Sequence, residues 1–345
     1  MNQPINSNQR DLYFDYLRGI PILLVVLGHC IQYGSGAAFF NNEAYFDNVV
    51  FKLIYSIHMP LFMCISGYFF YFTINKKTTL SVIKSKFIRI ILPVIAWNLI
   101  VVIYFVFKRG IYQCVCVDFI SACFSKMWFL WAVFWCSMVV LLVNKLLNDS
   151  LIGYFILIVL TFFLPDIYNI QLYSFMLPFF ILAYLYNKNK ILINSYLRNQ
   201  KLLVGVLLLI YLFLFYFYNH NTYIYTSGFS VLGKKDVFLQ LITNLHRFLI
   251  GFIGCILAVI LSKSLFNRSF SKSVVCLSQL GINSLGIYII SGYFFEYILQ
   301  KITPFFVFNY IYHILETVFI LLITNLIILV IKKNNILSLV LLGGR

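Results

Sequence analysis

Charge is scarce in this 345-residue chain: Asp, Glu, Lys and Arg together make up 10% of it. Soluble domains carry about 25%, so a water-soluble enzyme, a DNA-binding protein and a disordered chain are excluded. Acidic residues are scarcer still, 10 against 26 Lys and Arg, for a formal charge of +16. On a soluble scaffold that excess would suggest nucleic acid. Here basic flanks of membrane spans explain it, and no nucleic-acid partner is expected. Long polar stretches are missing as well. The longest gaps between apolar runs, 108–127 and 219–236, stay under ~25 residues, too short for a core of their own. Zinc spacing is missing too: the eight cysteines lie mostly in apolar runs, where a free thiol packs as a small hydrophobe, and no histidine pair accompanies them. No metal is expected. Nor is a cleavable leader, since the first apolar run holds Asp15 and Arg18 early and has no small-residue cleavage site; it reads as a retained span.

What the chain has is apolar surface. Hydrophobic residues make up 62%, with 37 Phe and 25 Tyr, and mean hydropathy is +0.92. A span needs about 20 apolar residues. About ten such runs are present, roughly 12–33, 49–73, 87–107, 128–147, 151–168, 172–187, 201–218, 237–263, 276–300 and 305–331. The fifth and sixth are short and tightly joined, which leaves nine or eleven open. The expected fold is an all-α polytopic integral membrane protein. One membrane domain covers 1–345, with short polar tails at 1–10 and 332–345 and no separate soluble domain. If the amino terminus is inside, seventeen basic residues fall in inner segments and seven in outer ones, the bias of the positive-inside rule. Both termini are therefore expected in the cytoplasm, and the chain in a bacterial-type inner membrane among its lipids.

Ionisable groups inside spans are functional candidates by default. Asp15 and Arg18 are i and i+3 on the first span and are expected to pair. Arg18 and His29 are eleven residues apart, so they share one helix face about 16 Å apart along the axis. They would mark two ends of a polar track. The plainer readings are a snorkelling anchor for Arg18 and a histidine satisfied by a neighbouring helix for His29. By depth, His29, His58, His246, Arg247, Glu296, His313 and Glu316 come from five spans yet fall in one outer layer. That layer reads as a water-accessible chamber opening outward; the plainer reading is a set of separate buried pairs, such as Arg247 with Glu316. At the inner rim Lys86 and Arg89 project together and can grip a phosphate, although the positive-inside rule and anionic lipid also account for them. Pro60 and the pair Ser66-Gly67 are expected to interrupt the second span, and Pro21 and Pro93 sit in the first and third.

Several stretches resemble the membrane acyltransferase-3 family, over nearly the whole chain. Asp15-Tyr16-Leu17-Arg18-Gly19-Ile20, followed by Val25-Val26-Leu27-Gly28-His29, resembles its opening signature. His58-Met59-Pro60-Leu61-Phe62 with Ser66-Gly67-Tyr68, Lys86-Phe87-Ile88-Arg89 with Pro93, Trp128-Phe129-Leu130 and Ser284-Leu285-Gly286-Ile287-Tyr288 resemble its later landmarks in order. Two positions depart from it. Lys86 stands where many members have Arg, and a point charge lacks Arg's planar fork. Ser291 stands where many have His.

The resemblance implies an acyl donor, most often acetyl-CoA, and a carbohydrate acceptor, either lipid-linked or an exported glycan. It implies an O-acyltransferase with His29 and Arg18 as catalytic candidates, to which depth along the spans adds Glu296, and with Lys86, Arg89 and Arg18 as the donor-binding set. His58, Ser66, Arg247 and Glu316 are candidate substrate-binding residues. His29 would serve as general base or as covalent acyl acceptor. Glu296 or Glu316 would orient it. Transfer of succinyl or another acyl group, or a glycan exporter or flippase, are the rival readings; an exporter would more naturally show internal repeats, and none is evident.

Overall fold

The computed structural model describes residues 11–109, 115–165, 167, 169–190, 200–229, 236–268, 272–303 and 306–344. Every element among the described residues is helical. In chain order the main helices are α1 (Leu12–Gly34), α2 (Val49–Lys76), α3 (Thr79–Lys108), α4 (Val115–Ser125), α5 (Trp128–Leu147), α6 (Leu151–Thr161), α7 (Ile170–Lys188), α8 (Gln200–Tyr216), α9 (Val237–Arg268), α10 (Lys272–Ile282), α11 (Ser284–Ile302), α12 (Tyr310–Lys332) and α13 (Asn335–Leu342). Several begin at side-chain caps that satisfy backbone donors the helix cannot. Asp11, Asn48, Ser150 and Asn309 accept from the amides of Tyr13, Phe51, Gly153 and Ile311.

Seven of these helices, α1, α2, α3, α5, α7, α9 and α12, are long and apolar enough to cross a bilayer, and α10 and α11, bent by 75° at their junction, meet the same criterion only when taken together. They correspond to eight of the ten expected runs. The expected fifth run ends early: α6 has 11 residues, about 16 Å of helix, roughly half of a ~30 Å hydrocarbon core. Pro165 lies just beyond it, and a helix rarely continues into the residue before proline. The seventh run becomes α8, with 17 residues.

α1 lies at the centre, against α2, α9, α10, α11 and α12. Its crossing with α10 is tight because glycines meet there. A Cβ on Gly19 would lie 1.9 Å from the Leu277 carbonyl oxygen, and one on Gly281 would lie 1.8 Å from that of Asp15. Small residues at a crossing let backbones approach where lipid offers no hydrophobic drive.

The expected interruption of the second span is not a break. α2 runs continuously through Pro60, which removes one amide donor and leaves the Ser56 carbonyl without its usual helical partner. The irregular turns lie elsewhere, in π-helical stretches at Phe87–Ile91 of α3 and Phe295–Leu299 of α11. The segment expected as a polar tail at 332–345 folds further. Its apolar run forms α13, docked on α3 by the Trp97 indole N–H donating to the Leu341 carbonyl at 3.0 Å.

Candidate functional site

A cavity of about 450 Å³ opens at the end of α1 opposite Arg18. α1, α2, α5 and α11 supply its walls, and the segments 43–46 and 225–226 border it. Its inward limit is set by Val25 and Met59, which belong to the apolar core. His29, His58 and Glu296 all line it.

The imidazoles are held by defined partners. His29 Nδ1 lies 3.2 Å from Gln32 Oε1, three residues on and on the same helix face. An amide oxygen only accepts, so Nδ1 carries the proton and Nε2 keeps its lone pair. The Tyr55 hydroxyl donates to the same Gln32 oxygen at 3.4 Å and lies 3.5 Å from His29 Nδ1. Phe295 and Tyr33 flank the ring at 5.1 and 5.8 Å. His58 Nδ1 donates to the Ile54 carbonyl at 2.7 Å, which likewise fixes its tautomer and leaves Nε2 as the basic nitrogen. Tyr55 stands between the two, 4.7 Å from the His58 ring and 6.4 Å from that of His29.

Glu296 sits in the π-turn of α11 and pairs with Lys126, whose Nζ lies 2.9 Å from both carboxylate oxygens and also donates to the Tyr297 hydroxyl. Burial alone would lower the Lys126 ammonium, but Tyr297 and Glu296 outweigh it and hold it above the ordinary lysine range. Gln32 and Tyr55, not a carboxylate, therefore orient His29. Backbone strain gathers here as well. Among the described residues five non-glycine positions have positive φ, and three of them are Asn or Asp, which tolerate that region. The other two, Glu43 (φ 55°) and Met127 (φ 56°), both border the cavity.

The rest of the expected outer layer does not join this cavity. Arg247 is buried and its Nη2 donates to the Ser227 carbonyl at 2.7 Å, the Ser227 hydroxyl at 2.6 Å and the Asn221 carbonyl at 3.3 Å. It clamps the loop that carries Tyr225 and Thr226, and it does not meet Glu316. His246 contacts the Leu214 carbonyl at 2.8 Å. Glu316 pairs with His313 at 2.9 Å, and His313 reaches the Ser35 hydroxyl at 2.9 Å, so this set ties α12 to the end of α1. Glu316 borders a separate, mostly apolar hollow with Phe306, Phe308 and Tyr312. Ser66 is half-buried on α2 and borders neither hollow. One expected chamber is thus four separate sets, because depth along a helix says nothing about which way a side chain faces.

The basic candidates cluster at the other end of α1. Arg18 pairs with Asp15 at 3.3 Å, as the i, i+3 spacing predicts, and its guanidinium lies 4.5 Å over the Phe69 ring. The Lys86 ammonium lies 4.8 Å over Phe70, and Lys190 meets the Tyr68 hydroxyl at 3.0 Å. Three successive aromatic residues of α2 so gather three cations at one level, each by charge–quadrupole attraction or a hydrogen bond. Arg89 lies in the π-turn of α3. Pro93 removes the amide that would pair with the Arg89 carbonyl, and Gly343 packs there instead, where a Cβ would come within 2.5 Å of that oxygen. Between the two ends the α1 face is filled by Ile22 and Val25, at 0% and 3% exposure, so the polar track is closed in this conformation.

Sequence reading missed Gln32, Tyr55, Lys126, Glu43 and Lys190. The first two carried a usable signal, each three residues from a candidate histidine on its own helix. The others are brought in by tertiary structure alone.

The chain matches the acyltransferase domain family, Acyl_transf_3, over residues 11–333. It is 29% identical over 231 residues to the nodulation protein NolL of Sinorhizobium fredii, covering 64% of this chain and 61% of that relative. It is 32% identical over 134 residues to the NolL of Mesorhizobium japonicum, covering 38% of this chain and 35% of that protein. The chain thus spans less than two thirds of the length of either. No solved structure matches it. Apolar spans, a histidine-bearing cavity and a match over nearly the whole chain agree: this polytopic membrane protein belongs to the acyltransferase domain family.

Proposed function

We propose that the protein transfers an acyl group, acetyl from acetyl-CoA, to a hydroxyl of a lipid-linked or exported glycan, in a bacterial-type inner membrane with both termini in the cytoplasm. The observation that carries this reading is the pair of imidazoles, each with Nδ1 committed and Nε2 basic, in one cavity at the opposite end of α1 from the cations. Family membership supplies the transfer chemistry.

His29 Nε2 removes the proton of the acceptor hydroxyl as its oxygen attacks the thioester carbonyl carbon. The new C–O bond forms, the C–S bond breaks, and the proton on the imidazolium passes to the departing thiolate. An imidazole whose Nδ1–H is held by a hydrogen bond can take a proton at Nε2 and return it. Gln32 and Tyr55 hold the ring, Lys126 pairs with Glu296 at the cavity wall, and His58 is a second base within the same enclosure. At the inner end, Arg18, Lys86 and Arg89 supply cations for the nucleotide phosphates of the donor. With the path at Ile22 and Val25 closed, donor entry requires α1 and α2 to part there.

Acylation of surface polysaccharide by wild type, His29→Ala and Arg89→Ala tests this. Loss of transfer in His29→Ala and a raised KM for acetyl-CoA in Arg89→Ala are expected. Full transfer by a normally inserted His29→Ala protein would remove His29 from the chemistry. An exporter would neither bind nor hydrolyse acetyl-CoA in detergent.

A further inference from the structure

We infer that the acceptor unit seated in the cavity is an uncharged sugar, and that Glu43 is one of the groups holding its hydroxyls. This rests on the transferase reading of the same cavity. The first reason is charge. Among the described residues, the cavity is bordered by two carboxylates, Glu43 and Glu296, and one ammonium, Lys126. Lys126 is already engaged by both Glu296 oxygens and by Tyr297. Among the described residues that line the cavity, a carboxylate or phosphate on the acceptor would meet like charge and no further ammonium or guanidinium. A sugar hydroxyl suits the site instead, because an ionised carboxylate accepts hydrogen bonds and donates none.

The second reason is the wall. Tyr33, Tyr45, Tyr55, Tyr288, Tyr293 and Trp128 border the cavity, giving flat apolar faces with polar edges, the surface against which a sugar ring packs. About 450 Å³ lies within the ~300–1,000 Å³ of small-ligand sites.

The third reason is how Glu43 is held. It takes a left-handed backbone conformation (φ 55°), and its carboxylate lies 3.3 Å from His220 Nε2. The two loops that carry these residues are joined by the Tyr223 hydroxyl donating to the Phe46 carbonyl at 3.0 Å. Glu43 is thus held at the cavity edge by its turn and by its contact with His220.

The test uses the full chain in detergent with two probes that differ only at one carbon, methyl β-glucoside and methyl β-glucuronide. Tryptophan quenching reads binding, with Trp128→Phe identifying the signal from the cavity among the four tryptophans. Acetyl transfer from acetyl-CoA reads turnover. The glucoside is expected to bind and react at least about tenfold better than the glucuronide. Glu43→Gln is expected to raise KM for the glucoside several-fold and to shrink the gap between the probes to about threefold or less. Equal or better binding of the glucuronide, or a Glu43→Gln protein with both affinities unchanged, would overturn the inference. Absence of turnover with any acceptor would count against the transferase reading alone, since quenching still ranks the two probes.

Discussion

His29 owes its readiness to what its other nitrogen does. Nδ1–H donates to Gln32 Oε1 at 3.2 Å, and that leaves the lone pair on Nε2. His29→Ala is expected to lower kcat by about a hundredfold or more, the usual range for a general base, with protein yield unchanged. Gln32→Leu should cost less, about tenfold, since it removes one hydrogen bond worth ~1.4 kcal/mol in orienting the ring. Steady-state transfer assays on purified variants check both. Arg18, His29 and their shared face were legible in the sequence because helical periodicity alone sets them. The orienting role expected for Glu296 or Glu316 was not, because pairing with Lys126 and His313 depends on which helices meet.

Helices and turns show the same division. Run length and hydropathy located the seven long spans and the bent eighth, whereas the short α6 and the docked α13 depended on a proline and on a tertiary partner. The turn between α5 and α6 shows how a buried charge is held. The Asp149 side chain, 5% exposed, meets Lys188 at 2.7 Å, and it accepts from the Tyr154 hydroxyl at 2.8 Å and the Asn144 amide at 3.1 Å. Burial alone would push its carboxyl up, but these donors outweigh it and hold it below its ordinary value of 3.8. A depressed folded pKa adds stability above the unfolded value, and the gain is lost as pH falls through the folded one. Asp149→Asn should therefore lower stability by about 1.5–3 kcal/mol at pH 7, and the gap to wild type should close only below about pH 4. Thermal unfolding in micelles across pH checks this. The α1–α10 crossing gives a second test. Gly281→Val should cost about 1–3 kcal/mol by forcing the helices apart. Gly205→Ala, at a glycine with nothing within 4 Å, should be neutral or slightly stabilising.

Taken whole, the molecule separates its charges. Arg18, Lys86 and Lys190 gather at one end of the bundle, while the imidazole cavity opens at the other. If both termini face the cytoplasm, single cysteines introduced at Phe40 and at Lys84 should label from opposite sides of sealed vesicles. Labelling at Lys84 from the outer side, or of both from one side, would refute that orientation. The broad separation was legible from basic-residue bias and helical depth. The closed path between the two ends was not, because it depends on Ile22 and Val25 packing against α2.

Transfer from acetyl-CoA to a glycan hydroxyl by the reconstituted protein, followed in a single turnover, decides whether His29 is where the acyl group moves. Wild type should complete transfer, and His29→Ala should bind acetyl-CoA with unchanged affinity yet transfer at least about a hundredfold more slowly. A folded His29→Ala protein that transfers at the wild-type rate would contradict this.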